Sequence, residues 1–136
     1  MKKEGRYSIK GLDEVEFEPG SRAQVLKNLL AIKSKKQMDR VEAREQLRAM
    51  EHFIALFDRS HRFSSSDICY MHKIWLGPIY SWAGKYRNVN LSKGQFPFAA
   101  AMHIPNPVVD FEKGALREFT PCNYEKEDDL ARALEP

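Results

Sequence analysis

Cysteine is scarce in this sequence, which excludes a disulfide framework. Only Cys69 and Cys122 occur among 136 residues, whereas small disulfide-rich domains carry several pairs. A single bridge between the two stays open from sequence alone. We expect both to be free thiols.

Long apolar runs are also missing. No uncharged apolar stretch approaches the ~20 residues that span a bilayer, so we expect no transmembrane helix. A charged and polar stretch follows Lys2 and Lys3, which predicts no secretory signal peptide. We therefore expect a cytoplasmic protein without a membrane partner.

Neither positive nor negative charge is in large excess in this sequence. The 22 Lys and Arg residues oppose 19 Asp and Glu residues, which leaves a formal net charge of +3 at pH 7. Such a balance gives little support for nucleic-acid binding, and we expect no nucleic-acid partner. One local basic patch contains Lys33, Lys35, Lys36 and Arg40. We interpret it as a solvated helix face rather than a phosphate-binding surface.

Diagnostic spacings for metal binding or nucleophilic catalysis are not found either. Cys69 and His72 would share a helix face, but two ligands do not make a metal site. His61 lies near Asp58 and the serines at 64–66, which we interpret as helix caps because no Gly-x-Ser-x-Gly elbow surrounds them. We predict no metal site and no nucleophilic triad.

What the sequence does contain is the apolar pattern of a mainly helical single domain. An extended arm is predicted at 13–18, where Val15 and Phe17 alternate with glutamates. A first helix is predicted from Ser21, with Val25, Leu26, Leu29 and Leu30 on one face. Two longer helices are predicted from Ser34 to Asp58 and from the serines 64–66 to Gly77. The last two are predicted from Pro105 to Thr120 and from Glu127 onward.

Residues 88–98 switch to a period of two, which predicts a β-hairpin with its turn at Lys93-Gly94-Gln95. Because Pro97 lacks an amide hydrogen, its strand should lie at an edge. An exposed edge can pair with an extended segment of a partner protein. Two alternatives stay open for Phe96 and Phe98, an exposed apolar clamp or inward-facing core. Lys93-Gly94 is either a weak nucleotide contact or a plain turn.

The segment Trp82-Ala83-Gly84-Lys85-Tyr86-Arg87, followed by 90–94 and Phe98-Ala99, resembles the central part of Fic-domain proteins. The resemblance covers roughly residues 18–134. It implies a mainly α, Fic-type helical bundle with one exposed β-hairpin, the flap, which aligns a target protein. It also implies transfer of AMP from ATP, with Mg²⁺, to a hydroxyl side chain of that target.

By the same resemblance, the target-binding flap consists of Ser92, Lys93, Gly94, Gln95, Phe96, Pro97 and Phe98. Lys93 and Gly94 are implied to lie near the nucleotide. Gln95 stands where many family members have a second glycine.

The family's active motif is His-Pro-Phe, an acidic residue and Gly-Asn-Gly-Arg, and it does not occur in this sequence. The resemblance therefore implies no catalytic residue in this sequence, because the family's general base belongs to that motif. His72 precedes the flap, whereas the family's base follows it, so we expect His72 to be structural. Residues 129–134 resemble the helix that leads into the motif. We expect an N-terminal arm at 1–20, and at 21–136 the N-terminal portion of one Fic-type domain that is incomplete at its C-terminus.

Three functions follow as hypotheses. In the first, the chain is part of a protein adenylyltransferase, is inactive alone, binds no cofactor alone, and uses residues 88–98 to align the target. In the second, it is a non-enzymatic module that binds an extended peptide at the hairpin edge. In the third, the complete protein is a Fic-type phosphotransferase. The family's inhibitory motif is also missing, so inhibition would come from the rest of the protein or from a separate partner.

Overall fold

The computed structural model describes residues 13–135, apart from the side chain of Lys93, and the chain is mainly helical as predicted. Helix α1 spans Lys35–Leu56, and helix α2 spans Ser65–Leu76. The rest consists of strands β1 (Ser92–Lys93) and β2 (Phe96–Pro97), a 3-10 turn (Ala101–His103), α3 (Pro105–Phe111), a π-helical segment (Glu112–Leu116), α4 (Arg117–Phe119) and α5 (Glu127–Leu134). Within 13–135, no helix is both long and apolar enough to cross a membrane.

The two long helices begin where their capping residues predict. The Ser34 hydroxyl accepts a hydrogen bond of 3.3 Å from the Gln37 amide and starts α1. The Ser64 hydroxyl accepts from the Asp67 amide at 3.2 Å, and the Asp67 carboxylate accepts from the Ser64 amide at 2.9 Å. This reciprocal capping box satisfies two amides that have no partner inside α2.

The helix predicted from Ser21 is wrong, because residues 21–30 form turns instead. These turns bring the following segment back against the predicted arm. The Glu18 amide donates to the Val25 carbonyl, and the Lys27 amide donates to the Glu16 carbonyl, each at 2.8 Å. The arm is therefore one side of a short antiparallel ladder. Residues 1–12 of the predicted arm at 1–20 lie outside the described residues.

Asn28 explains why a helix fails to form there. Its side-chain oxygen accepts from the amides of Leu30 and Ile32, at 3.2 and 2.9 Å, and so takes donors that a helix would use. Leu29 and Leu30, which the prediction placed on a buried helix face, are 61% and 47% exposed. Ile32 is buried instead, so the apolar spacing was read with the wrong period.

The core lies where α1, α2, the 79–83 segment and the turns before α1 meet. Ile79 is fully buried, and the other members of this cluster are Val25, Ile32, Met38, Leu76, Tyr80 and Ala83. Val25 and Ile32 come from the turn segment, which therefore closes one end of the helix pair. The core is small, and much of the apolar surface of α1 stays exposed, at Leu47, Met50, Ile54 and Leu56.

The predicted helices after the hairpin are confirmed with one irregularity. The first follows Pro105 and ends before Thr120, but Gly114 leaves helical geometry at φ −94° and ψ −106°, where the turn widens into the π-helical segment. Helix α5 begins at Glu127 as predicted, and no residue of α5 is buried. The two cysteines are free thiols, as expected.

Candidate functional site

The segment that carries the family resemblance begins with a tight turn at Gly84. This glycine has φ +80°, and a Cβ atom there would lie 2.7 Å from the Lys73 Cβ and 3.0 Å from the Cys69 carbonyl oxygen. Its amide donates to Nδ1 of His72 at 2.8 Å. The turn therefore packs its backbone directly onto α2, which only a residue without a side chain allows.

His72 has a structural role in this turn, as expected. Accepting the Gly84 amide at Nδ1 leaves its proton on Nε2 when the ring is neutral. Burial lowers the pKa of His72 below its ordinary value of 6.5, which favours that neutral ring. The geometry gives His72 a hydrogen-bond partner in the main chain of the turn.

The aromatic pair next to this turn joins it to α1. Trp82 stacks on Tyr80 with ring centroids 4.6 Å apart, and the Tyr80 hydroxyl donates to the Glu42 carboxylate at 2.7 Å. Burial, and then the nearby carboxylate, raise the pKa of Tyr80 far above its ordinary value. Tyr80 therefore remains a neutral donor at physiological pH, and its hydrogen bond to Glu42 joins the turn to α1.

Three side chains fix the base of the hairpin. The Arg87 guanidinium donates to the carbonyls of Val89 and Ala99, on opposite arms. The Asn90 side-chain oxygen accepts from the Ala101 amide at 2.8 Å. The Glu14 carboxylate accepts from the Asn88 amide at 2.8 Å. Hydrogen bonds from these side chains to main-chain groups thus hold the base of the hairpin in place, and the tip of the hairpin projects from this base.

Main-chain pairing in the hairpin is shorter than residues 88–98. Ser92 lies opposite Pro97, and Lys93 lies opposite Phe96. One more hydrogen bond, from the Phe98 amide to the Leu91 carbonyl at 3.0 Å, continues the pairing toward the base. Gly94 and Gln95 make the two-residue turn, so all seven predicted flap residues lie in this one projection.

Both phenylalanine rings of the projection face solvent. Phe96 is 67% exposed, Phe98 is 46% exposed, and their ring centroids lie 5.8 Å apart in an edge-to-face contact. The alternative in which both rings belong to the core is therefore wrong. An exposed aromatic pair on a short hairpin is a surface that a partner can cover.

The nucleotide contact predicted at Lys93 and Gly94 has open space around its glycine. Gly94 has φ +62°, and a Cβ atom there would have no heavy atom within 4 Å. The side chain of Lys93 lies outside the part of the chain that is described. The contact stays a prediction, and the positive φ agrees equally well with a plain turn.

A cavity of about 240 Å³ lies beside the hairpin base. Its lining combines apolar, aromatic and charged side chains: Glu14, Leu26, His72, Trp82, Lys85, Arg87, Val89 and Leu91. Two further apolar cavities of about 230 and 250 Å³ flank Ile68 on α2, one toward α1 and one toward α3. Helix α2 therefore has an apolar cavity on each side of Ile68.

Sequence reasoning missed the polar cluster at the start of α2. Nε2 of His61 contacts the Asp67 carboxylate at 2.8 Å, and the Ser65 amide donates to Glu112 at 2.7 Å. Burial acts to raise the pKa of Asp67, but hydrogen bonds from His61 and Ser64 outweigh it and lower that pKa. These contacts cap α2 through Ser64 and tie it through Ser65 to the segment after α3, so Ser64 is confirmed as the helix cap.

Other candidate groups found by sequence do not assemble into a site. Lys35 of the basic patch pairs with Asp39 one turn along α1, as on a solvated face. Over residues 13–135, no group of three or more His, Cys, Asp or Glu side chains could hold a metal ion. The anchored hairpin at 88–98 is therefore the candidate functional site. In the comparison with known protein families, no family model matches the chain.

Proposed function

We propose that this chain is the target-aligning portion of a Fic-type protein adenylyltransferase. The observation that carries the proposal is the exposed aromatic hairpin at 92–98 on a base anchored by Arg87, Asn90 and Glu14. A projection of this kind can hold an extended protein segment at a fixed distance from a reactive centre. Positioning is a large part of catalysis for a bimolecular transfer.

The chemical step belongs to residues outside this sequence. In the proposed reaction, the target hydroxyl oxygen bonds to the α-phosphorus of ATP, and the bond to pyrophosphate breaks. The hydroxyl proton passes to a general base, which this chain does not supply because the His-Pro-Phe motif does not occur in it. ATP and Mg²⁺ are accordingly assigned to the complete protein, in the cytoplasm, with Lys93 and Gly94 near the nucleotide.

A second candidate function is a non-enzymatic module that holds an extended peptide on the same hairpin. The exposure of Phe96 and Phe98 favours it to the same degree, because an aromatic pair on an open edge binds without any chemistry. The two candidates differ only in whether a transfer motif accompanies this chain.

Labelled ATP separates these candidates. The reading frame downstream of codon 136 is determined, the whole product is expressed, and it is incubated with host-cell extract and Mg²⁺. Label from the α-phosphate on an extract protein, with none from the γ-phosphate, supports adenylyl transfer. Label from the γ-phosphate alone indicates the phosphotransferase, and no label in either arm favours the binding module. Residues 1–136 alone are the control, and their labelling of a protein would overturn the assignment of chemistry to other residues.

A further inference from the structure

Helix α1 has two apolar faces, and only one of them is covered. Met38 and Ala49 are the buried residues of α1. Leu47 and Ile54 lie on a different face and are 67% and 76% exposed, and Met50 between them is exposed as well. An apolar helix face that is open to water is a surface that another helix can cover.

The spacing on this exposed face is that of a coiled coil. Its apolar positions are separated alternately by four and three residues, the pattern with which two helices pack along their length. These positions, the α1 stripe, are Ala43, Leu47, Met50 and Ile54. Met50 also lines the cavity of about 230 Å³ between α1 and α2, together with Phe53 and Ile68. The stripe therefore continues into a concave apolar surface with room for a side chain of a second helix.

Two opposite charges flank the α1 stripe on one side. Arg44 and Glu51 are seven residues apart, which is about two helical turns, so both lie on the same flank. Over residues 13–135, Arg44 forms one ion pair, a long one of 3.8 Å to Glu45, and Glu45 binds Arg48 more closely, at 2.7 Å. Glu51 is exposed and makes no ion pair in the same range of residues. The described part of the chain thus leaves one cation and one anion beside the stripe without a close partner.

A second copy of α1 satisfies both charges when it packs antiparallel. If a two-fold axis passes midway between Leu47 and Met50, Leu47 faces Met50 of the second copy, and the other stripe residues pair in the same register. Arg44 then lies only about two residues, or ~3 Å along the helix axis, from Glu51 of the second copy. Both are on the same flank, where long charged side chains form ion pairs between helices. The symmetry makes this ion pair twice.

A parallel arrangement lacks this complementarity. Arg40 continues the exposed face three residues before the stripe begins, and in a parallel pair it would meet its own copy. Arg44 and Glu51 of the two copies would lie two turns apart instead of side by side. Like charges brought together in this way oppose association. The charges of α1 therefore favour the antiparallel alignment.

We propose that the protein forms a symmetric dimer in which the α1 stripes of two copies pack antiparallel. The occupant of this face is a second copy, because the charges that flank the stripe complement those of the same chain related by the two-fold axis. The inference goes beyond the proposed function and does not depend on it, since no residue of the stripe belongs to the hairpin at 88–98.

Charge reversal tests the pairing. Arg44→Glu makes both flanking charges acidic, Glu51→Arg makes both basic, and in either variant the two symmetric ion pairs become repulsive. The Kd of the dimer, measured by sedimentation velocity over a series of protein concentrations, should rise by about tenfold for each variant. An equimolar mixture of the two variants has opposite charges at both contacts, so the mixed dimer should form as tightly as the unsubstituted dimer. This recovery requires positions 44 and 51 to meet across the dimer.

A second pair of variants tests the apolar part of the contact. Leu47→Glu puts a charge on the stripe in both copies and should raise the Kd of the dimer by about a hundredfold or more. Ala55→Glu adds the same charge at an exposed position of α1 outside the stripe, and it should leave the Kd unchanged. All four substituted side chains are exposed in the single chain, so the far-ultraviolet circular dichroism of the variants should match that of the unsubstituted protein.

The remaining outcomes would each contradict part of the proposal. A protein that stays monomeric at every concentration would overturn it and leave the stripe to a different protein. A dimer that Leu47→Glu does not weaken would place the interface elsewhere on the chain and overturn it as well. A dimer that Leu47→Glu weakens, but whose two charge variants do not recover on mixing, would overturn the antiparallel alignment.

Discussion

Gly84 donates its amide to Nδ1 of His72 at 2.8 Å, across twelve positions of sequence. This one hydrogen bond joins the turn that precedes the hairpin to α2. It requires an unprotonated Nδ1, and the low pKa that burial gives His72 supplies one near neutral pH. The orientation of the hairpin base is thereby linked to the protonation of a single ring.

His72 should make the stability of the fold depend on pH. Its pKa in the folded state lies below the ordinary 6.5, so the unfolded chain binds more protons and stability falls as the pH drops from 6.5 through the folded pKa. His72→Gln keeps an acceptor for the Gly84 amide but does not titrate, so its free energy of unfolding should fall less steeply below pH 6.5. Urea unfolding at a series of pH values measures the slope.

A histidine outside the Gly84 turn provides the control variant, since His103 is exposed and lies in the 3-10 turn after the hairpin. His103→Gln should keep the full slope of the unsubstituted protein. Equal slopes for His72→Gln and the unsubstituted protein would show that His72 does not carry the effect.

Gly84 and Gly94 form a matched pair for testing the turn. Both have positive φ, but a Cβ atom at Gly84 would meet Lys73 and Cys69, whereas a Cβ atom at Gly94 would meet nothing within 4 Å. Gly94→Ala should cost only the strain of a left-handed backbone, about 1 kcal/mol. Gly84→Ala adds steric overlap with α2 and should lower the free energy of unfolding by about 2 to 4 kcal/mol. Thermal and urea unfolding of the two variants measure the difference, and equal losses would contradict the close packing at Gly84.

Local chemistry made the long helices predictable, and its limits explain the errors. Ser34 and Ser64 cap helices through residues three positions away, so both starts could be found from sequence. The segment after Ser21 has helical apolar spacing as well, but the Asn28 side chain takes amides that a helix would need. Spacing alone does not reveal that competition, because it depends on which hydrogen bonds the folded chain finally makes.

The position of the hairpin could be predicted from the sequence, but the hydrogen bonds that hold its base could not. The period of two, the glycine turn and Pro97 mark the projection from sequence. The hydrogen bond between Glu14 and Asn88 joins residues 74 positions apart. No local pattern encodes such a contact, and the adenylyl transfer that the resemblance implies remains a proposal.

The capping box of α2 gives a prediction about stability alone. Ser64→Ala removes the hydroxyl that accepts the Asp67 amide, and loss of such a cap costs about 1 kcal/mol. Ser66 lies two positions on and is exposed, and its side chain makes no hydrogen bond to the described part of the chain. Ser66→Ala should therefore leave the free energy of unfolding unchanged within about 0.5 kcal/mol. Equal effects of the two variants in urea unfolding would show that Ser64 is not the cap.

Phe96 and Phe98 should matter for binding and hardly at all for folding. Both rings are largely exposed, so Phe96→Ala and Phe98→Ala remove little buried surface and should change the free energy of unfolding by less than about 1 kcal/mol. Ile79→Ala, at a fully buried position, is the contrasting core variant and should cost about 2 to 5 kcal/mol. For the tightest peptide selected from a random phage-displayed library on the unsubstituted protein, each phenylalanine variant should weaken the Kd by about tenfold or more, because aromatic anchors that become buried in an interface carry much of its binding energy. If melting temperatures fall as far for the phenylalanine variants as for Ile79→Ala, the two rings contribute to packing. If the Kd values are unchanged, the rings are not part of the binding surface.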